Sequence, residues 1–320
     1  MYRIVIDKYI PFLEGVFDTF AEIVRLPPEE ITAAAVRDAD ILVVRTRTRC
    51  DAALLDGSRV RFIATATIGY DHIDTAYCQR NGIQWTACPG CNAQAVCDYV
   101  EEALRHCGHA MGRNFRSIGI VGAGHVGSLV ARMAERKGLR VVLCDPLRSA
   151  DGFVSAPMEA VAGCDVITFH TPLTHNGESA YPTYRMCDAS FLSRCKKDAL
   201  IINAARGGIV DEEALLKSGN PCVIDCWEGE PHINTDLLLS ANTLLSSYHI
   251  AGYSAEGKRN ASRMCAEAVY GWMGIAAKPV LPSLPVSRGD SEAGWLYRLT
   301  KQLQQSPSAF ESLRRNYVPR

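Results

Sequence analysis

The chain has 320 residues, enough for two domains of ordinary size. Hydrophobic residues make up 48% and charged residues 22%, the balance of a globular protein, and the formal net charge is -1. Near-neutrality excludes a global basic field for nucleic acid or anionic lipid, so an anionic ligand must be caught by a local cluster. No apolar run approaches the roughly 18–20 residues of a membrane-spanning helix, so no membrane partner is expected. The opening Met1-Tyr-Arg-Ile-Val-Ile-Asp7 reads as a strand and lacks the tripartite form of a signal peptide. The 13 cysteines are scattered, several inside apolar runs (Cys144, Cys164, Cys222, Cys226), which suits reduced thiols in a cytoplasm. Cys88-Pro-Gly-Cys91 and His106-Cys-Gly-His109 lack the second half of a four-ligand zinc pattern, so no metal is expected.

Short apolar runs alternate with helix-like stretches, the pattern of an α/β protein with parallel sheets. Tyr2–Ile6, Ile41–Arg45 and Arg61–Thr65 read as buried strands, and Leu13–Val24 as a helical stretch between them. A break at Pro89-Gly90 precedes a long helix over Ala93–Gly112. The alternation restarts with Ser117–Val121, Arg140–Cys144, Asp165–Phe169, Ala199–Asn203, Cys222–Asp225 and Thr243–Ser246, a second open sheet. A helix over Ala255–Met273 is expected to return to the first domain. The expected architecture is two doubly wound parallel-sheet domains, flavodoxin-like and Rossmann, with a cleft between them. Residues 1–92 and 254–280 form the first, 93–253 the second, and 281–320 a short C-terminal segment. Lys278-Pro-Val-Leu-Pro-Ser-Leu-Pro285 opens that segment as a Pro-rich linker, followed by a basic, helical tail ending at Arg320.

Gly122, Gly124 and Gly127 form G-x-G-x-x-G in Ser117-Ile-Gly-Ile-Val-Gly-Ala-Gly-His-Val-Gly127. Three glycines at this spacing are weak evidence alone, but an apolar strand precedes them and an amphipathic helix, Ser128–Lys137, follows. Gly122 permits the turn, Gly124 lets the backbone approach a pyrophosphate, and Gly127 allows close helix–strand packing. The helix N-terminus then offers free N–H groups to phosphate, with Ala123, His125 and Val126 beside it. Asp145 ends the next strand, where it can accept from ribose hydroxyls and repel a 2′-phosphate. NAD is therefore favoured over NADP, although Arg148 lies close by.

Three polar residues follow later strands: Arg206 in Asn203-Ala-Ala-Arg-Gly-Gly208, Glu230 in Trp227-Glu-Gly-Glu-Pro231, and His249 in Ser247-Tyr-His-Ile-Ala-Gly252. A guanidinium after a buried strand can pair bidentately with a carboxylate and polarise a C2 oxygen. His249 can take the proton of a C2 hydroxyl as hydride leaves, and Glu230 can hold the other ring nitrogen and stabilise imidazolium. Together they are what oxidation of a 2-hydroxy acid requires. Asp225 and Thr171, at further strand ends, read as cofactor contacts or as plain turn residues. Arg45-Thr-Arg-Thr-Arg49 offers three guanidiniums for a substrate phosphate. If the strand continues, Arg45, Arg47 and Arg49 share one face and cannot all reach one ligand unless the chain turns.

In this order the residues resemble the D-isomer-specific 2-hydroxy acid dehydrogenase family along nearly the whole chain to about Leu281. Ala64-Thr-Ala-Thr-Ile-Gly-Tyr-Asp-His72, Phe169-His-Thr-Pro-Leu173, Asp225-Cys-Trp-Glu-Gly-Glu-Pro231 and His249-Ile-Ala-Gly-Tyr-Ser254 carry the resemblance. It implies Arg206, Glu230 and His249 as catalytic residues, and Thr46, Thr67 and Tyr253 as substrate contacts. It also implies Ala204, Asp225 and Gly252 as part of an NAD site, and a homodimer. Phe310-Glu-Ser-Leu-Arg-Arg-Asn-Tyr317 resembles the last helix of a larger dimerisation domain, much of which is missing here. A small phosphorylated hydroxy acid is the expected substrate, its carbon number left open. A cofactor-sensing binding protein remains the alternative from another class.

Overall fold

The computed structural model describes residues 1–148, 152–284 and 294–318, in two compact units. Described residues 1–92 and 254–284 form the first, and 93–253 with 294–318 the second. The Pro285 end of the linker and the terminal Arg320 lie outside the described residues.

The first unit runs β1 (Tyr2–Asp7), β2 (Ala21–Leu26), α1 (Ala33–Val36), β3 (Ile41–Val44), α2 (Ala52–Leu55), β4 (Phe62–Thr65), α3 (Thr75–Arg80) and β5 (Gln84–Thr86). The strands order β2-β1-β3-β4-β5, all parallel, the flavodoxin-like order. Every residue of β3 and β4 is buried, as expected of parallel strands covered on both faces. Asp51 and Asp74 cap α2 and α3 by accepting from backbone N–H groups.

The expected helix over Leu13–Val24 is absent. Leu13, Val16 and Phe17 are buried at helical spacing, but they sit in turns, with Gly15 at φ +72°. Ala21–Leu26 instead pairs residue for residue with β1. Pairing with an available sheet edge overrides the local period, and Ile23 and Val24 suit that extended state.

The second unit opens with α4 (Ala93–Ala110) and β6 (Ser117–Val121), then α5 (His125–Arg136), β7 (Arg140–Cys144), α6 (Met158–Ala162) and β8 (Val166–Phe169). It continues with α7 (Ala189–Arg194), β9 (Leu200–Asn203), α8 (Glu212–Ser218), β10 (Cys222–Ile224), α9 (Thr235–Leu239) and β11 (Thr243–Ser246). The order β11-β10-β9-β8-β6-β7 places the topological switch beside β6, where chain order reverses. Open α/β sheets bind ligands in the crevice at that point.

Helix α10 (Ala255–Met273) belongs to the first unit, packs on β4 and stops at Gly274, φ +74°. The Pro-rich stretch is partly anchored there: Leu281 is buried and the Pro282 carbonyl accepts from Arg259 Nε at 3.0 Å. Helices α11 (Trp295–Gln305) and α12 (Phe310–Asn316) belong to the second unit. Thr300 of α11 ties itself to β11, its hydroxyl accepting from Ser246 N at 2.8 Å. All 13 cysteines are free thiols, buried except for the half-buried Cys91. Among the described residues no helix is long and apolar enough to cross a membrane, and no cluster of three or more His, Cys, Asp or Glu could hold a metal.

Candidate active site

Parallel pairing brings the C-terminal ends of β9, β10 and β11 side by side, with Ile224 opposite both Asn203 and Ser246. The three following loops carry Arg206, Glu230 and His249. Asn203, 2% exposed, joins the first loop to the second: its amide donates to the Arg206 carbonyl at 2.9 Å and the Cys226 carbonyl at 3.1 Å. A Cβ on Gly207 would lie 2.0 Å from the Trp227 carbonyl oxygen, so only glycine lets the loops pass this closely. Arg206 emerges exposed, with Nη1 donating to its neighbour's carbonyl, Ala205 O, at 2.7 Å.

In the second loop Glu230 folds back to accept from Trp227 N at 2.8 Å, and the Glu230–Pro231 peptide is cis. Beneath it Glu212, the first residue of α8, accepts from Glu228 N at 2.6 Å. Burial pushes the Glu212 carboxyl up to about 7; the Glu228 N–H works against this and the charges of Glu228, Glu230 and Asp211 work with it.

His249 has φ +59°, a left-handed backbone that costs a non-glycine residue roughly 1–2 kcal/mol. Asp225, at the end of β10 and 1% exposed, supplies what holds it. Its backbone carbonyl accepts from His249 N at 2.9 Å. Its carboxylate accepts from Ile250 N at 2.8 Å, Ala251 N at 3.0 Å and Ser247 Oγ at 2.7 Å. Tyr99 of α4 adds a hydroxyl 2.7 Å from Ser247 Oγ, and the Trp227 indole donates to Ser247 O at 3.0 Å. Asp225 therefore sits inside the wall of the site with both oxygens engaged. Its first task is to hold the histidine loop.

His249 Nδ1 lies 2.9 Å and 3.1 Å from the two Glu230 oxygens. A carboxylate only accepts, so Nδ1 carries the proton of the neutral ring and Nε2 is left with the lone pair. That is the arrangement of a general base held by an acid. Arg314 of α12 stands behind it, Nη1 3.6 Å from Glu230 Oε2 and Nε donating to the Tyr253 hydroxyl at 3.3 Å.

The glycine loop lies at the switch point of the same unit. Gly122 has φ +92°, and a Cβ there would lie 2.6 Å from the His170 carbonyl oxygen. A Cβ on Gly127 would lie 1.9 Å from the Gly122 carbonyl oxygen, whereas Gly124 faces open space. The helix begins at His125, three residues earlier than expected, so His125 and Val126 form its first turn. Asp145 accepts from Ala123 N at 2.8 Å. Arg148 donates to the Ala123 carbonyl and, at 3.2 Å, to Ser128 Oγ, and covers the Phe153 ring. It is bound to the protein rather than poised for a 2′-phosphate. Thr171 Oγ1, beside Gly122, is buried with no hydrogen-bond partner among the described residues; Ala204 directly follows β9, and Gly252 lies in the turn beyond His249. An open cradle at Gly124, a helix N-terminus, a strand-end carboxylate and an orphaned hydroxyl fit a dinucleotide.

In the first unit the chain does turn after β3, with Thr48 N donating to Arg45 O at 3.1 Å. The three arginines part company there. Arg45 pairs bidentately with buried Asp7 (Nε–Oδ2 2.8 Å, Nη2–Oδ1 3.1 Å) and lies over the Tyr9 ring. Arg49 turns outward to Asp51 at 2.7 Å, while Thr46 and Arg47 are exposed. Thr67 donates to Gly69 O at 2.8 Å and lies 2.7 Å from Thr65 Oγ1, which reaches His72 Nε2 at 2.9 Å. Cys88 faces Cys265, not Cys91, at 3.6 Å. Reading the sequence alone missed the linking role of Asn203, for which its strand-end position was a signal. It also missed Arg314, which no local pattern ties to Glu230.

Known proteins share the sequence and the fold of this chain. A family model for the D-isomer specific 2-hydroxyacid dehydrogenase NAD binding domain matches residues 105–251. The erythronate-4-phosphate dehydrogenase of Bacteroides fragilis is 41% identical over 336 residues, covering 98% of this chain and 95% of that one. The enzyme of that name from Pseudomonas putida is 37% identical over 354 residues, covering 99% and 92%. The NAD-bound 3-phosphoglycerate dehydrogenase structure from Entamoeba histolytica shares the fold, with TM-score 0.69 and 23% identity over 87% of this chain and 98% of that one. NAD is the cofactor of the dehydrogenase domain. The chain belongs to the erythronate-4-phosphate dehydrogenase family, among the NAD-dependent D-isomer-specific 2-hydroxyacid dehydrogenases.

Proposed function

We propose that this chain oxidises 4-phospho-D-erythronate at C2 to (R)-3-hydroxy-2-oxo-4-phosphooxybutanoate, a step in pyridoxal 5′-phosphate biosynthesis. The observation that carries this reading is the His249–Glu230 pair at 2.9 Å on a strand end beside the Arg206 loop. Arg206 clamps the substrate carboxylate and polarises the C2 oxygen. His249 takes the C2 hydroxyl proton at Nε2, and Glu230 holds Nδ1–H and stabilises the imidazolium that results. NAD, held by the Gly122–Gly127 loop and Asp145, supplies the hydride acceptor. Ala204, Thr171, Gly252 and the Asp225 loop wall the cofactor. Arg45, Arg47, Thr46, Thr67 and Tyr253 are the residues assigned to the substrate, the arginines to its phosphate.

The relatives' shared name supports the four-carbon substrate. The buried free thiols support a reducing cytoplasm. A homodimer is proposed from the resemblance of the last helix to a dimerisation element. Single-turnover NADH formation, with 4-phosphoerythronate and 3-phosphoglycerate side by side, tests the reading. A fast burst with the four-carbon acid is expected, and preference for the three-carbon acid overturns the assignment. His249→Ala should lower turnover at least about 100-fold while NAD still binds.

A further inference from the structure

We propose that Arg314, in the last helix, is a positioning residue of the active site: it shares the Glu230 carboxylate with His249 and sets the pH range in which the histidine serves as base. The proposal rests on the catalytic roles given above to His249 and Glu230.

The neighbouring arginine provides the contrast. Arg315 pairs with Glu311 one turn back at 2.8 Å and is 61% exposed, an ordinary solvated helix-face pair. Arg314 points the other way, its side chain 30% exposed, with Nη1 3.6 Å from Glu230 Oε2 and Nε 3.3 Å from the Tyr253 hydroxyl. Docking of α12 does not need this charge. Phe310 is fully buried, Leu313 packs on the core, and Tyr317 meets the rings of Tyr248 and Tyr253. A guanidinium aimed at a carboxylate already engaged by Trp227 N and His249 adds little to stability at 3.6 Å, but it alters that carboxylate's charge balance.

The direction follows from the charges present. Glu230 faces His249, Arg314 and, beneath the loop, Glu212; Arg314 also faces Tyr253 and Glu311. Removing the guanidinium leaves the Glu230 carboxylate to the imidazolium alone and takes away a positive charge that opposes it. Both changes hold the proton on His249 to higher pH. Oxidation needs the neutral ring, so the acid limb of kcat/KM moves to higher pH. At an effective dielectric of about 20–40 the shift is on the order of half to one pH unit. At a pH on that limb this means a loss of roughly three- to ten-fold.

The test compares Arg314→Met, Arg314→Gln and Arg314→Lys with the parent chain. The first readout is the pH profile of kcat/KM for 4-phosphoerythronate oxidation. The second, made without substrate, is the NMR titration of 15N-histidine-labelled protein, with the His249 signal identified by its loss in His249→Gln. The acid limb of kcat/KM and the His249 titration should move up together in the Met and Gln variants and return in Lys. Met and Gln variants that fold, bind NAD and leave the His249 titration within about 0.2 unit of the parent overturn the proposal. Should 4-phosphoerythronate not turn over at all, the proposed substrate falls, and the titration still decides Arg314.

Discussion

Asp225→Asn should detach the histidine loop without disturbing the strands beneath it. The carboxylate accepts from Ile250 N, Ala251 N and Ser247 Oγ, and from the Cys226 thiol at 3.7 Å, in a position 1% exposed. An asparagine can keep one oxygen for the Ile250 N–H and the Ser247 hydroxyl, but its NH2 then faces the Ala251 N–H. One charge-assisted bond is lost, about 1.5–3 kcal/mol, and a buried donor is left opposed, so the total is roughly 2–4 kcal/mol. For a unit of this size that corresponds to a Tm lower by about 5–15 °C. The left-handed backbone of His249 is strained without this support, and a displacement of about 1 Å costs on the order of 100-fold in turnover. Calorimetry and steady-state kinetics on the same preparation read both effects. A Tm within about 2 °C and a kcat within two-fold of the parent would refute the argument that this carboxylate holds the loop.

Gly127→Ala forces a methyl group to 1.9 Å from the Gly122 carbonyl oxygen, so α5 must move away from β6. NAD affinity should fall by at least about ten-fold, measured by fluorescence titration, whereas Gly124→Ala, which meets open space, should unfold no more easily than the parent. Glu212 gives a pH dependence of defined sign. Its carboxyl is raised from 4.5 to about 7 in the folded chain, so the native state holds a proton that the unfolded state releases. Stability therefore falls as pH rises from about 4.5 to about 7, and Glu212→Gln should remove that slope in urea titrations across the range.

Much of the second unit was legible because its signals are local. The order strand, three spaced glycines, helix is written into backbone freedom: Gly122 needs φ +92°, and Gly127 has no room for a methyl group. Predominantly apolar runs such as Leu200–Asn203 and Val166–Phe169 marked strands covered on both faces. Placing Arg206, Glu230 and His249 after three such runs was enough to bring them to one sheet edge, since parallel strands end together.

Tertiary partners decided the rest. Leu13–Val24 has apolar spacing compatible with a helix, yet the edge of β1 drew Ala21–Leu26 into the sheet. Alternation around Arg45 could not foretell the turn at Thr48, nor that buried Asp7 would bind the first guanidinium and Asp51 the last. Asp225 read as a cofactor contact or a plain turn residue, and its part in anchoring the histidine loop was hidden because its donors come from backbone more than twenty residues downstream. Arg314 is the limiting case: residue type and helix position distinguish it little from Arg315, and only the docking of α12 turns one toward Glu230 and the other toward water. The sequence by itself determined which chemistry is present and on which strand ends, through backbone conformation and burial. Only the folded chain decided which charges meet, since those contacts join residues far apart in sequence.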